Sequence, residues 1–174
     1  MKSHSVLPVF VLIVLSCGTC SCKNATEPQN KLQGITLYSN SFESVSDTIG
    51  WSGYGALLLK DDAAPEGGNS SLFVSGGCMV PHAVYDLPAA ESDGYYRIAC
   101  WGKNLAQGGG VELKAAKGSG KGVEVAITEK EWTSYASSDS IFCPVGDHLR
   151  IEMICGGIVY SAMLVDLIEV VRVN

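Results

Sequence analysis

The sequence has 174 residues, a formal net charge of −6 and 47% hydrophobic residues. An acidic chain gains nothing from the phosphate backbone of nucleic acids or from an anionic lipid surface, so its charge argues against both as electrostatic partners. The hydrophobic content is that of an ordinary globular protein.

The chain opens with features typical of an exported protein. Lys2 precedes an apolar run, Val6 to Leu15, that is ten residues long. A helix needs about 20 residues to span a bilayer, so this run has the length of a signal-peptide core instead. The stretch Val14-Leu15-Ser16-Cys17 that follows resembles a bacterial lipobox, which predicts a signal peptide over residues 1–16 and lipidation of Cys17.

Two further cysteines follow within five residues of Cys17, which leaves alternatives to a lipid anchor at that residue. Cys22 is a second candidate for lipidation, and a secreted protein with spare cysteines is the competing interpretation. A zinc site needs about four ligands, and the only nearby histidine, His4, precedes the predicted cleavage point. We therefore expect a membrane anchor at this position.

The predicted mature chain divides into a tether and one domain. Removal of residues 1–16 takes away Lys2 and changes the net charge from −6 to −7. Residues 17–33 are polar, lack apolar periodicity and indicate a flexible spacer. Residues 34–174 have the size of a single domain, and their numerous glycines and short alternating runs favour strands over helices.

The alternating runs predict an all-β domain, a two-sheet antiparallel sandwich. In the run from Tyr95 to Trp101, one face carries Tyr96, Ile98 and Cys100 and the other carries Arg97, Ala99 and Trp101. In a later run, we expect the inward residues to be Leu149, Ile151, Met153 and Cys155.

Six segments, in this order, resemble jelly-roll carbohydrate-binding modules of the galactose-binding-like fold. They are Asn40 to Glu43, Gly50-Trp51, Gly68 to Val74, Tyr96 to Lys103, Glu131 to Tyr135, and Leu164 to Val170. The resemblance spans about residues 36–173 and implies a jelly roll that binds a glycan. Since the fold hosts many roles, its function needs a separate argument.

The resemblance also implies a structural calcium ion that ties the first strand to the last. Its side-chain ligands would be Glu43 and Asp166, with backbone oxygens near Gly68 or Asn69 completing the 6–8 oxygens that calcium prefers. The sequence departs from the family pattern at Leu167, where a second acid is usual. The alternative is that both carboxylates are solvated or cap nearby amides.

A glycan site needs aromatic faces for stacking and a few polar groups that hydrogen-bond hydroxyls. Candidates predicted to share one outward face are Trp101, Arg97, Tyr85, Lys103, Arg150 and Glu152. Loop candidates are Trp51, Tyr54 and Tyr160. The competing interpretation makes Trp51 a core residue and Arg150 with Glu152 a solvated charged face.

We expect no catalysis. His82 and His148 are the histidines of the predicted mature chain, and neither lies in a triad or a metal-spaced motif. The domain's four cysteines are either core thiols or include at least one disulfide, a choice that the spacing leaves open: Cys78, Cys100, Cys143 and Cys155.

These patterns together predict a non-catalytic, lipid-anchored protein of the cell envelope, at the outer membrane, that binds an oligo- or polysaccharide. The rival hypothesis is a protein-interaction or adhesion module of an envelope complex that uses the same fold.

Overall fold

The computed structural model describes residues 31–53, 58–76, 82–118, 121–155 and 161–173. The predicted signal peptide, Cys17, Cys22 and most of the tether lie outside these ranges, so the anchor stays a prediction. Tyr54, Cys78 and Tyr160 also lie outside them. Within the described ranges, no helix has the length and apolar character needed to cross a bilayer.

The described residues form twelve strands and one 3-10 turn, Val45–Thr48. The strands are β1 Ile35–Asn40, β2 Trp51–Ser52, β3 Leu58–Lys60, β4 Ser71–Ser75, β5 Ala83–Ala89, β6 Gly94–Ala106, β7 Gly109–Ala115, β8 Val123–Ile127, β9 Thr133–Ala136, β10 Ile141–Cys143, β11 His148–Cys155 and β12 Ala162–Val173. This content confirms the predicted all-β class.

The strands form two antiparallel sheets. The seven-stranded sheet has the order β10-β6-β12-β4-β3, with β1 also paired to β12 and β9 also paired to β6. The five-stranded sheet has the order β2-β5-β11-β7-β8. The long strands β6 and β12 pair with each other at the centre of the first sheet, and β11 lies at the centre of the second.

The core lies between the sheets and is built from one face of each long strand. Ile98 and Cys100 of β6 face Ile151 and Met153 of β11 across a continuous apolar cluster in which all four are buried. Both inward faces were predicted from period-2 alternation, and both predictions are confirmed.

The turn after β1 directs two successive side chains, those of Phe42 and Glu43, to different sides of the sheet. Phe42 adopts the left-handed conformation, with φ of 52°, and its backbone N–H donates to the Asn40 Oδ1 atom at 2.8 Å. The Phe42 ring is thereby fully buried in the core, while Glu43 turns towards Asn69 and Ser70. Left-handed backbone in a residue other than glycine costs about 1–2 kcal/mol, so burial of the ring offsets this strain.

Candidate functional site

A β-bulge in β12 shapes the outer surface of the seven-stranded sheet. Asp166 lies opposite Trp101 of β6 and Glu169 lies opposite Ala99, so three steps along β12 match two along β6. Leu167 absorbs the extra residue with φ of 46°. Asp166 and Glu169 consequently face the same outer side, which strict alternation would forbid.

The bulge borders a cavity of about 810 Å³ on this outer surface. Trp101 lines it and is partly exposed, and no described residue accepts a hydrogen bond from the Trp101 indole N–H. The other lining residues are mainly polar and include Lys31, Ser39, Asp47, Glu66, Ser134 and Glu169. An aromatic face among hydroxyls and carboxylates can stack a sugar ring and hydrogen-bond its hydroxyls.

Arg97 and Lys103 share the outer face of β6 with Trp101, as predicted. However, the side chains of both donate hydrogen bonds to residues outside the cavity. Arg97 donates from Nε to the Ser137 carbonyl at 2.8 Å, and its terminal nitrogen donates to the same oxygen. Lys103 Nζ donates to Asp62 at 2.8 Å, and this bond lowers the pKa of the Asp62 carboxyl. Neither residue lines the cavity, so both act as supports for neighbouring loops.

The expectation that six candidates share one face is wrong. Arg150 and Glu152 lie on β11 of the five-stranded sheet, whereas Trp101 lies on β6 of the other sheet. Because the two sheets pack face to face, their outer surfaces are on opposite sides of the molecule. The sequence could not reveal this division, since it depends on which strands pair.

Tyr85 was expected to face outward, and this too is wrong. It lies opposite Trp51 and the buried Ile151 in the ladder, and its ring packs partly buried against the core. Its centroid is 5.3 Å from that of Trp51 and 4.7 Å from that of Tyr38. Tyr85 therefore belongs to an aromatic cluster at the sandwich edge.

Trp51 is 8% exposed, and its indole N–H donates to the Tyr38 hydroxyl at 3.1 Å. The ring packs edge-on against Phe42, with centroids 5.6 Å apart. Trp51 was predicted as a loop candidate for the glycan site, but the structure favours the competing interpretation: the residue belongs to the core, and its buried face is closed to a ligand. The neighbouring candidate Tyr54 lies outside the described residues.

Several charged side chains on the outer face of the five-stranded sheet form ion pairs with one another. Arg150 donates to both oxygens of Asp86, at 2.6 and 3.0 Å, which lowers the pKa of that carboxyl. Lys114 Nζ lies 2.7 Å from Glu152 and 3.1 Å from Glu112, and its pKa is raised, chiefly by the bond to Glu152. Most charged residues of this face are paired, and its described residues include no Phe, Tyr or Trp.

Glu43 and Asp166 converge on one glycine turn, where both cap backbone amides, as the alternative to a calcium site stated. Glu43 accepts from the backbone N–H of Asn69 at 2.9 Å, while Asp166 accepts from those of Ala64 and Leu167 at 3.0 and 2.7 Å. Asp166 is fully buried, and this burial, with the Glu43 charge as a smaller cause, raises its pKa to about 6 against the opposing effect of the two N–H donors.

The chemistry of this pair fits a hard cation. Neither carboxylate forms an ion pair with a described residue, and a Cβ atom on Gly67 or Gly68 would collide with Asp166 or Glu43 respectively. Each carboxylate oxygen that accepts one N–H retains a lone pair for a metal. Since no group of three or more His, Cys, Asp or Glu in the described ranges could hold a metal, backbone oxygens would have to complete the shell.

The remaining reactive side chains are structural in the part of the chain that the structure describes. His82 is buried, and its Nδ1 accepts from the backbone N–H of Cys155 at 3.1 Å. Cys100, Cys143 and Cys155 are buried free thiols, and burial raises the pKa of Cys100 to about 12 and of Cys155 to about 11. Such thiols are neutral and unreactive at neutral pH.

The sequence interpretation missed most of the residues that surround Trp101. Ser39 and Glu169 are cross-strand partners on β1 and β12, so a correct pairing of the terminal strands would have found them. Asp47 and Glu66 come from loops, and nothing in the local pattern distinguishes them from other surface acids.

Known proteins share this architecture. No protein-family model matches the sequence, and neither does any curated protein. The CBM22-1 xylan-binding domain of Xyn10C from Paenibacillus barcinonensis is 18% identical with a TM-score of 0.58, and the match covers 83% of this chain and 99% of that one. The C-terminal family 22 carbohydrate-binding module of Clostridium thermocellum Xyn10B is 15% identical, with a TM-score of 0.55 and coverage of 82% and 97%.

At this level of identity the similarity shows the fold alone. The chain shares the two-sheet antiparallel jelly-roll fold of these two modules, which agrees with the fold that the sequence predicted.

Proposed function

We propose that this protein is a non-catalytic carbohydrate-binding protein and that the cavity beside Trp101 holds the glycan. The observation that carries the proposal is a partly exposed tryptophan, whose indole N–H donates to no described residue, in a cavity of about 810 Å³ lined by hydroxyls and carboxylates. This volume lies in the range of about 300–1,000 Å³ that ligand sites occupy.

The fold supports this proposal without deciding it. Two solved modules with the same architecture carry names that state carbohydrate or xylan binding. The predicted anchor at Cys17 would hold the binding domain at the cell envelope, most simply at the outer membrane, where it would present glycan to partner proteins.

Replacing Trp101 by alanine is expected to weaken glycan binding by about 30-fold or more, the effect of losing a central aromatic contact. The mature chain would first be screened on a glycan array, and the best oligosaccharide would then be titrated by calorimetry. Trp101→Phe keeps an aromatic face and should retain part of the affinity.

The matched control is Tyr95→Ala, because Tyr95 lies on the same face of β6, is 52% exposed and does not line the cavity. It should bind like the unmodified protein. Equal loss in both variants, or full binding by Trp101→Ala, would place the site elsewhere. A folded protein that binds nothing on the array would favour the protein-interaction hypothesis.

We also propose that Glu43 and Asp166 hold a structural calcium ion with backbone oxygens of the Gly67–Asn69 turn. A ligand that binds only the folded state at 100 times its Kd stabilises that state by about 2.7 kcal/mol. For a chain of this size, that corresponds to a rise in melting temperature of roughly 5–10 °C. We expect this rise when calcium replaces EDTA in a thermal melt.

The rise should be absent in Asp166→Asn and present in Asp139→Asn, a control at an exposed carboxylate. It should also fade as the pH falls through about 6, since calcium requires an ionised carboxylate and the pKa of Asp166 is raised to about 6. Equal melting temperatures in calcium and EDTA at neutral pH would contradict the proposal.

A further inference from the structure

The cavity beside Trp101 carries an excess of negative charge. Asp47, Glu66 and Glu169 line it, and Lys31 is the one basic side chain among the described lining residues. None of the three carboxylates forms an ion pair within the described ranges. Their hydrogen-bond donors are neutral: the Thr36 hydroxyl donates to Glu169 at 2.5 Å, and the Ser44 backbone N–H donates to Asp47 at 2.8 Å.

Basic side chains on the adjoining strand do not offset this charge, because they are already bound. Lys103 forms an ion pair with Asp62, and Arg97 donates to the Ser137 carbonyl. On the opposite surface, by contrast, Arg150 and Lys114 neutralise neighbouring carboxylates. The three cavity carboxylates therefore keep their charge without a basic partner among the described residues.

A carboxylate hydrogen-bonds a sugar hydroxyl well but repels a second anion, and within a cavity this repulsion is screened less than at an open surface. We infer that the Trp101 cavity takes glycans without acidic groups, either uncharged or amino-bearing, and rejects polysaccharides of uronic or sulphated sugars. This inference rests on the proposed function and specifies the substrate class of the same site.

The test compares sugars that differ only at C6, where a primary alcohol is replaced by a carboxylate. The probes are oligogalactose beside oligogalacturonate, oligoglucose beside oligoglucuronate and oligomannose beside oligomannuronate, each titrated against the mature chain. For any pair that binds, the uncharged member should bind at least about tenfold more tightly, as expected when like charges are brought together at an interface.

Two double variants separate the cavity from the overall charge of the protein. Glu66→Gln with Glu169→Gln removes two cavity charges, while Glu91→Gln with Glu124→Gln removes two exposed charges outside it. The first should reduce the preference for the uncharged sugar to about threefold or less, and the second should leave it unchanged. Melting temperatures would verify that both variants are folded.

Tighter binding of a uronate than of its uncharged counterpart would overturn this inference while leaving the proposed function intact. An equal loss of preference in the two double variants would also overturn it, since net charge would then be the cause. Failure of both members of every pair to bind would overturn the inference, and together with a glycan array that shows no binding it would overturn the proposed function as well.

Discussion

Replacement of Phe42 by alanine is expected to lower the free energy of unfolding by about 3–5 kcal/mol, the usual cost of deleting a buried ring. The Phe42 side chain is fully buried and packs edge-on against Trp51, at the point where β1 leaves the sheet. The variant would keep the strained left-handed backbone and lose the ring that offsets it. Urea denaturation followed by tryptophan fluorescence measures the difference.

Phe142→Ala is the control for this prediction. Phe142 is 44% exposed on β10, and its main ring contact is with Tyr95, 5.3 Å away. Its removal should cost less than about 1 kcal/mol, since substitutions near the surface rarely cost more. Similar losses for the two variants would mean that the Phe42 ring is not part of the core that stabilises the domain.

The all-β class could be predicted from the sequence because β6 and β11 are long and their apolar and polar residues alternate. Ile98 and Cys100, or Ile151 and Met153, each fall on one side of an extended chain, and both pairs are buried. Strands β2, β3 and β10 have only two or three residues, too few to show a period. They exist as strands because a longer neighbour supplies their hydrogen bonds, which is a long-range property.

The candidate site was harder to predict from the sequence, for the same reason. Trp101 was placed outward correctly because its own strand alternates. The grouping of Trp101 with Arg150 failed because local periodicity gives the face of each strand but not the sheet to which the strand belongs. For Tyr85 the sequence pattern was sufficient, since alternation places Tyr85 on the same side of its strand as the apolar Ala83 and Leu87. Both of these residues are buried in the structure.

The bulge at Leu167 could not be predicted from the local sequence. Asp166 and Glu169 are three residues apart, so a regular strand would direct them to opposite faces. One inserted residue places both on the outer face, Asp166 opposite Trp101 and Glu169 at the cavity. Leu167, where the sequence departs from the pattern that it otherwise resembles, is therefore the residue that shapes the cavity.

The two proposed sites share this bulge. Leu167 lines the cavity, and its backbone N–H donates to Asp166 at 2.7 Å. A cation held by Asp166 would fix the backbone that forms one wall of the glycan site. The calcium proposal is therefore also a proposal about how rigid the cavity is, and rigidity reduces the entropy lost on binding.

Gly67→Ala is expected to lower the free energy of unfolding by at least about 3 kcal/mol, measured by urea denaturation in EDTA. A Cβ atom at Gly67 would lie 1.9 Å from the Asp166 Oδ2 atom, which is far inside van der Waals contact. Asp166 cannot yield cheaply, since it is fully buried and accepts from the N–H groups of Ala64 and Leu167. Displacing it would leave two donors unsatisfied, at about 1–3 kcal/mol each.

Two comparisons isolate the clash as the cause. Gly146→Ala should cost only about 1–2 kcal/mol, because Gly146 has φ of 79° but no atom within 4 Å of its Cβ position, so that left-handed strain acts alone. In an Asp166→Ala background the carboxylate is gone, and Gly67→Ala should cost less than about 1 kcal/mol in that double-mutant cycle. Gly67→Ala could instead cost as much in that background as in the unmodified protein. The turn and the buried carboxylate would then be energetically independent, and the close approach of Gly67 to Asp166 would not explain the loss of stability.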